Sequence, residues 1–514
     1  TEAPTDEPTE APVEETEAPV EEPTELHIAM SVVPTNLDVV MNTADDAAQI
    51  ASGPIFEQLV AMDNTYKPVP ELCTKWDMSE DATTYTYYLR EGVKFHNGEE
   101  MKAVDVVASM NRWIEGADNA KSLVGDARFY EVDEYTVEIK MAVGSPYLNL
   151  MIGGLGQHAG IMPKSVIDDV DPESKLVKEY IGTGPYVLES WVEDQYIKLV
   201  TYGDYQPYGT EGDYSGWAGY KRAEIDTIYF HFVSDPNTVL AGMQTGEYDA
   251  TDGITYDNYD MFANDDNFYI ISAESEQPAM IFNKKEGWGA NAKFRQAVAT
   301  LLNIDDIMLA AYGQPEFFNL YASYMFKSQT DWYTDRGSEY YNLHDTEKAK
   351  QLFEEAGFTP NDTFTILVAS DAEDFYAMAV VIKSQMEAAG YKCELLVYDW
   401  STFVTVRNTE PDKYNAFITS FSEKVLPNMN LFLSPTWAGW CTDERIVADL
   451  AKIGTSLDVP TAQQTWYDLQ EYMLAESVPV VKFGNTLAFG VVNKKVQGME
   501  YFNWMTFVDA EIVE

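Results

Sequence analysis

Cysteine, histidine and basic side chains are the scarce groups in this sequence, and each scarcity removes a class of function. Three cysteines in 514 residues, Cys73, Cys393 and Cys441, are too few and too odd in number for a disulfide-dense scaffold, and none forms a C-x-x-C pair. A Cys393–Cys441 bridge is left open. Five histidines, His27, His96, His158, His231 and His344, are spread along the chain without H-E-x-x-H or H-x-H spacing, so neither a metal nor another cofactor is expected. Lys plus Arg number 33 against 85 Asp plus Glu, a formal charge of −52. Such a surface repels nucleic acid and anionic lipid, which excludes both as the principal partner. No run of 18 apolar residues occurs, and with it goes any expected membrane span. A basic n-region followed by an apolar h-region is missing too, so a signal peptide is expected to have been removed. No serine sits in a G-x-S-x-G elbow, and carboxylates are so abundant that no chosen pair points to hydrolysis. No catalytic residue is assigned, and the chain is not expected to be an enzyme.

What is present is material for a large core. Hydrophobic residues make up 46% of the chain, and its length exceeds the roughly 300 residues at which single cores stop growing, so two or more lobes are expected. Residues 1–25 differ in kind. Their near-repeat of T-E-A-P and E-E-P carries ten acidic residues, no basic one and no aromatic, and its prolines favour an extended, disordered linker. Without those ten charges the remainder still stands at −42. Aromatic residues are plentiful, with 11 Trp and 33 Tyr, and offer broad faces with polar edges for a ligand cleft.

Period-two alternation marks strands at Leu26–Val32, Tyr85–Leu89 and Tyr135–Met141. Asn97-Gly98 supplies a turn, and Val106, Val107, Met110, Trp113 and Ile114 recur at helical spacing. The segment Ile55–Met62 reads as a helix leading into a loop. Gly182-Thr183-Gly184-Pro185 reads as a tight turn; no Lys-Ser/Thr pair follows it, which excludes a phosphate loop. Further on, Asp345–Gly357 forms a helix with both caps in place, and strand, helix and strand over 363–398 form a crossover unit with a partly parallel sheet.

The run L-R-E-G-V-K-F-H-N-G followed by A-V-D-V-V-A-S-M, together with G-T-G-P-Y further on, resembles the signature segments of the family 5 extracellular solute-binding proteins, the peptide, nickel and oligosaccharide receptors of ABC importers. That family usually has Thr where Lys102 stands; a lysine cannot cap the helix, which leaves the work to Asp105 or a shifted start. The resemblance spans about residues 30–500. It implies an α/β, two-lobe periplasmic-binding-protein-like fold with mixed sheets, an interlobe cleft and an extra subdomain. The expected bounds are lobe I over 26–284, with the inserted subdomain at about 73–181, lobe II over 285–483, and a return to lobe I over 484–514.

The resemblance also implies a mechanism. Two lobes close on a short peptide by hinge motion near Asn283 and Phe483, and a membrane ABC permease then takes up the cargo. Relatives pair the α-ammonium of a peptide with an aspartate that follows a tryptophan-containing strand end. The corresponding stretch here is A-F-I-T-S-F-S-E-K, which places Glu423 in that role, with Lys424 beside it. Arg407 is the candidate partner for a ligand carboxylate. Trp217, Tyr220, Tyr256, Tyr259, Trp400, Trp437 and Trp440 are the candidate aromatic wall. An oligosaccharide receptor, with Trp437 and Trp440 as stacking platforms, is the alternative within the fold, and an adhesive surface protein is the alternative outside it. An extracellular or cell-envelope location is expected. A lipid anchor is implied by analogy, although no lipid-modifiable cysteine precedes the linker.

Overall fold

The structure, a computed structural model, describes residues 23–154 and 157–513. Nearly all of the acidic linker expected at 1–25 therefore lies outside the described residues.

Leu26 and Ile28 are fully buried in the first strand, Glu25–Met30, which sits centrally in an eight-stranded mixed sheet. Its partners on the two sides are Thr227–Phe232 and Ala250–Thr251, both parallel; antiparallel strands complete the sheet on either flank. A second sheet of five strands runs in the order Lys392–Tyr398, Thr363–Ala369, Ala416–Thr419, Ala279–Phe282, Val480–Lys482. Its first three strands are parallel, as the strand–helix–strand pattern requires. Each sheet has its own hydrophobic core, which makes the fold two-lobed.

The chain crosses between lobes in two short places. Phe268–Glu274 belongs to the first sheet and Ala279–Phe282 to the second, so the first crossing lies at 275–278, slightly ahead of the expected boundary at 284. The second occupies only Phe483 and Gly484, between Val480–Lys482 and Asn485–Asn493. Residues 73–140 build a separate four-stranded antiparallel sheet, covered by the helix Ala103–Gly116. Tyr85, Tyr87 and Leu89 point into this core, and the Tyr85 and Tyr87 hydroxyls donate to Ser145 O and Asn149 Oδ1. At the helix start Asp105 Oδ2 accepts from the Lys102 N–H at 3.0 Å, supplying the half of a capping box that a lysine at the N-cap leaves intact.

The two sequence signatures clasp each other. His96 Nδ1 accepts from the Gly182 N–H at 3.3 Å, and its Nε2 lies 3.0 Å from Gly184 O, which fixes the proton on Nε2. A Cβ at Gly182 would fall 2.0 Å from Ile55 O, and one at Gly184 would fall 2.3 Å from Pro54 O; only glycine fits there. Thr183 donates to the buried Glu57, which with Glu71 holds Lys221, a lysine only 1% exposed, at 3.1 and 2.6 Å.

The expected helix over Ile55–Met62 is not formed. The helix here is Asp45–Ala51, and Val60–Met62 is a strand paired with Pro68–Pro70. Ile55, Phe56, Leu59 and Val60 are buried on all sides, so no amphipathic helical face exists, and the Pro54 and Ile55 carbonyls accept from Tyr186 and Gly184 instead. The three cysteines are free and buried. The dispersed histidines also hold a surprise. His27 Nδ1 and His231 Nε2, far apart in sequence, meet at 2.9 Å across parallel strands of the large sheet.

Candidate ligand cleft

A cavity of about 330 Å³ opens between the lobes. Lobe I contributes Asp45, Trp113, Leu150, Met151, Gln157, Glu274, Asn503 and Trp504; the first crossing contributes Ser275 and Glu276; lobe II contributes Ser422, Glu423, Lys424, Val425 and Met429.

The lobe II wall follows from the strand Ala416–Thr419. As the strand ends, Phe421 and Gln277 exchange backbone hydrogen bonds, 2.8 and 3.2 Å, and Ser420 Oγ donates to Glu276. This ties the loop carrying Glu423 to the first crossing. Glu423 Oε1 accepts from Asn503 Nδ2 at 2.7 Å, a hydrogen bond that spans the cleft. Burial raises the Glu423 carboxyl above its ordinary value, with repulsion from Asp45 and Glu276 adding to it. Burial also lowers the Lys424 ammonium, whose Nζ is turned to Ser422 Oγ and Glu423 O at 2.8 and 3.0 Å.

The lobe I wall comes from a hairpin of Glu500–Phe502 and Trp504–Thr506. Its turn residue, Asn503, has φ of 64°, a left-handed conformation that asparagine tolerates better than other side chains. Because Nδ2 faces a carboxylate, the amide orientation is fixed, and Asn503 Oδ1 is left without a partner among the described residues. The indole N–H of Trp504, a residue 3% exposed, has none either. The unpaired acceptor and the unpaired donor thus stand on consecutive residues of the hairpin, both of which line the cavity.

Of the binding residues expected from sequence, Glu423 lines this cavity and the others lie elsewhere. Trp217 is 5% exposed and packs behind the wall, its ring centroid 5.0 Å from that of Trp504. Tyr220 belongs to a loop held by Asp213. Tyr256 and Tyr259 pack on Phe317 and Phe489 between the two sheets' cores. Trp400, 42% exposed, stacks on Phe403. Arg407 lies 5.0 Å over the Trp437 ring and against Phe403 and Phe417, with no carboxylate in salt-bridge range among the described residues. Trp437 packs on Phe417 and Phe421, and Trp440 lies beneath Lys285. Asp45, Glu276, Asn503 and Trp504 were not singled out from sequence. The only signal for the last two was the aromatic-dense run Y-F-N-W-M-T-F near the end of the chain.

Among the described residues no cluster of three or more His, Cys, Asp or Glu side chains is arranged to hold a metal ion, and no helix is long and apolar enough to cross a membrane.

Comparisons with known proteins agree with this architecture. The chain is similar to a probable peptide ABC transporter periplasmic-binding protein of Sinorhizobium fredii, 26% identical over 472 residues that cover 87% of this chain and 86% of the relative. It is similar to the dipeptide-binding protein of Escherichia coli, 23% identical with 90% of each chain covered. The crystal structure of the ABC transporter substrate-binding protein CtaP from Listeria monocytogenes matches the fold with a TM-score of 0.82 at 18% identity, over 96% of this chain and 100% of that one. The family model for bacterial extracellular solute-binding proteins, family 5 Middle, matches residues 67–440. With most of its length under that match, the chain belongs to the family 5 bacterial extracellular solute-binding proteins.

Proposed function

We propose that this protein is a receptor that captures short peptides between its lobes and presents them to a membrane ABC permease, with Glu423 receiving the peptide α-ammonium. The observation that carries the reading is the cleft itself. A desolvated carboxylate stands opposite an unpaired donor and acceptor on Trp504 and Asn503, a set that matches an ammonium followed by a peptide group. The names of the similar proteins from Sinorhizobium fredii and Escherichia coli point to the same cargo. Capture needs no bond made or broken: ligand contacts with both walls favour the closed form. Arg407, already covered by three aromatic rings, has no part in this reading. The sugar reading loses its platforms, since Trp437 and Trp440 pack away from the cavity. The acidic linker is read as a tether that holds the receptor, lipid-anchored, close to the outer face of a membrane.

Native mass spectrometry of protein purified from rich medium tests the function. Retained short peptides are expected. A homogeneous sugar or metal chelate in their place would overturn the reading.

A further inference from the structure

The cleft carries more negative charge than one ammonium can use. Asp45, Glu274, Glu276 and Glu423 face it, against the single base Lys424. Lys424 is spent internally on Ser422 and Glu423 O, and Glu274 is engaged by the Asn319 amide and the Tyr321 hydroxyl. If Glu423 takes the α-ammonium, Asp45 and Glu276 remain. Asp45 has no side-chain hydrogen bond among the described residues, and Glu276 has one oxygen engaged, by Ser420. Neither has an ion-pair partner among the described residues. Asp45 starts the lobe I helix Asp45–Ala51 and Glu276 lies on the first crossing, and both line the cavity. An acidic lining alone would be a solvated face. Here the cavity is also lined by Trp504, whose buried indole N–H has no partner among the described residues and is open to a ligand acceptor once the lobes shift.

We propose that the cleft selects short peptides bearing a basic side chain, whose second positive charge is received by Asp45 and Glu276 while the main chain engages Trp504 and Asn503. The inference rests on the peptide-receptor reading and adds the substrate class. A side-chain carboxylate on the ligand would meet the same two groups as repulsion, so acidic peptides are rejected by the charges that attract basic ones. Because Asp45 and Glu276 are open to water, the preference depends on ionic strength.

Isothermal titration calorimetry of the full chain, freed of retained ligand by unfolding and refolding, compares Ala-Ala, Lys-Ala and Glu-Ala, with 1,4-diaminobutane as a charged probe that lacks a peptide group. Lys-Ala is expected to bind about tenfold more tightly than Ala-Ala at low salt, with Glu-Ala weakest. The ratio is expected to shrink toward unity at about 1 M salt. In the double variant Asp45→Asn, Glu276→Gln the Lys-Ala to Ala-Ala ratio falls, with thermal melting as the check on folding. Equal affinities for Lys-Ala and Ala-Ala overturn the charge selection and leave the peptide reading standing. Binding of 1,4-diaminobutane with neither Lys-Ala nor Ala-Ala bound overturns the peptide reading instead.

Discussion

Replacing Glu423 by Gln is the perturbation that most directly probes the cleft. The substitution keeps the shape and keeps an acceptor for Asn503 Nδ2, now 2.7 Å from Glu423 Oε1, so the wall stays in place. What goes is the charge. A hydrogen bond to a charged group contributes roughly 1.5–3 kcal/mol, so affinity for a peptide with a free α-ammonium should fall about 10- to 150-fold. An N-acetylated peptide has no ammonium to lose, and its already weak binding should barely change. The pH dependence follows from the raised carboxyl. As pH falls through that raised value Glu423 takes up a proton and wild-type affinity should fall with it, whereas the Gln variant stays flat. Calorimetric titration of both peptides across pH 4–7 reads all of this. If the Gln variant binds the free peptide within twofold of the wild type, Glu423 does not hold an ammonium and the assignment is wrong.

Three further outcomes concern the frame around the cleft. Gly184→Ala drives a Cβ to 2.3 Å from Pro54 O and should lower the melting temperature sharply, whereas Gly203→Ala, with nothing within 4 Å, should leave it unchanged. Lys221→Met strands Glu57 and Glu71 without their cation, at a cost of about 3–5 kcal/mol by urea unfolding; an unchanged midpoint would mean that the carboxyls had simply taken up protons. Burial lowers the His158 imidazole to about 4. Because the unfolded chain binds that proton near pH 6.5 and the folded chain does not, stability is intact above 6.5 and is lost as pH falls toward 4, by on the order of 3 kcal/mol. A His158→Asn variant should show a shallower acid loss over that window in denaturation measured at several pH values.

Much of the frame was readable from local pattern, because alternation and capping are written within a few residues. The helix Thr346–Ala356 begins where Asp345 caps it and stops at Gly357, whose φ is 79°. The strand Thr84–Leu89 alternates as its tyrosines suggested. Ile55–Met62 misled because its two polar residues, Glu57 and Gln58, give it an amphipathic look, whereas the structure buries them with their apolar neighbours. Of the residues singled out from sequence, Glu423 alone lines the cavity, and it was singled out through a family pattern. The cavity's remaining walls come from segments near 45, 276 and 503, which only the tertiary fold brings together. The aromatic candidates failed to converge for a related reason. Large rings stand out in a sequence, but Trp217, Trp437 and Tyr256 are used as packing, and Arg407 found its partner in ring faces and not in a carboxylate.

On the proposed role of Glu423, its bond to Asn503 gives ligand capture and lobe closure a single joint. One oxygen of the carboxylate grips the opposite lobe; if the other receives the cargo as proposed, grip and cargo are thermodynamically reciprocal. Whatever strengthens the hold of the lobes on each other strengthens the hold on the ligand by the same factor. A permease that pries Asn503 away would flood the carboxylate with water, and the ammonium would lose the dry surroundings that made its attraction strong. Unloading would then require no group inserted into the cleft, only a pull on its rim.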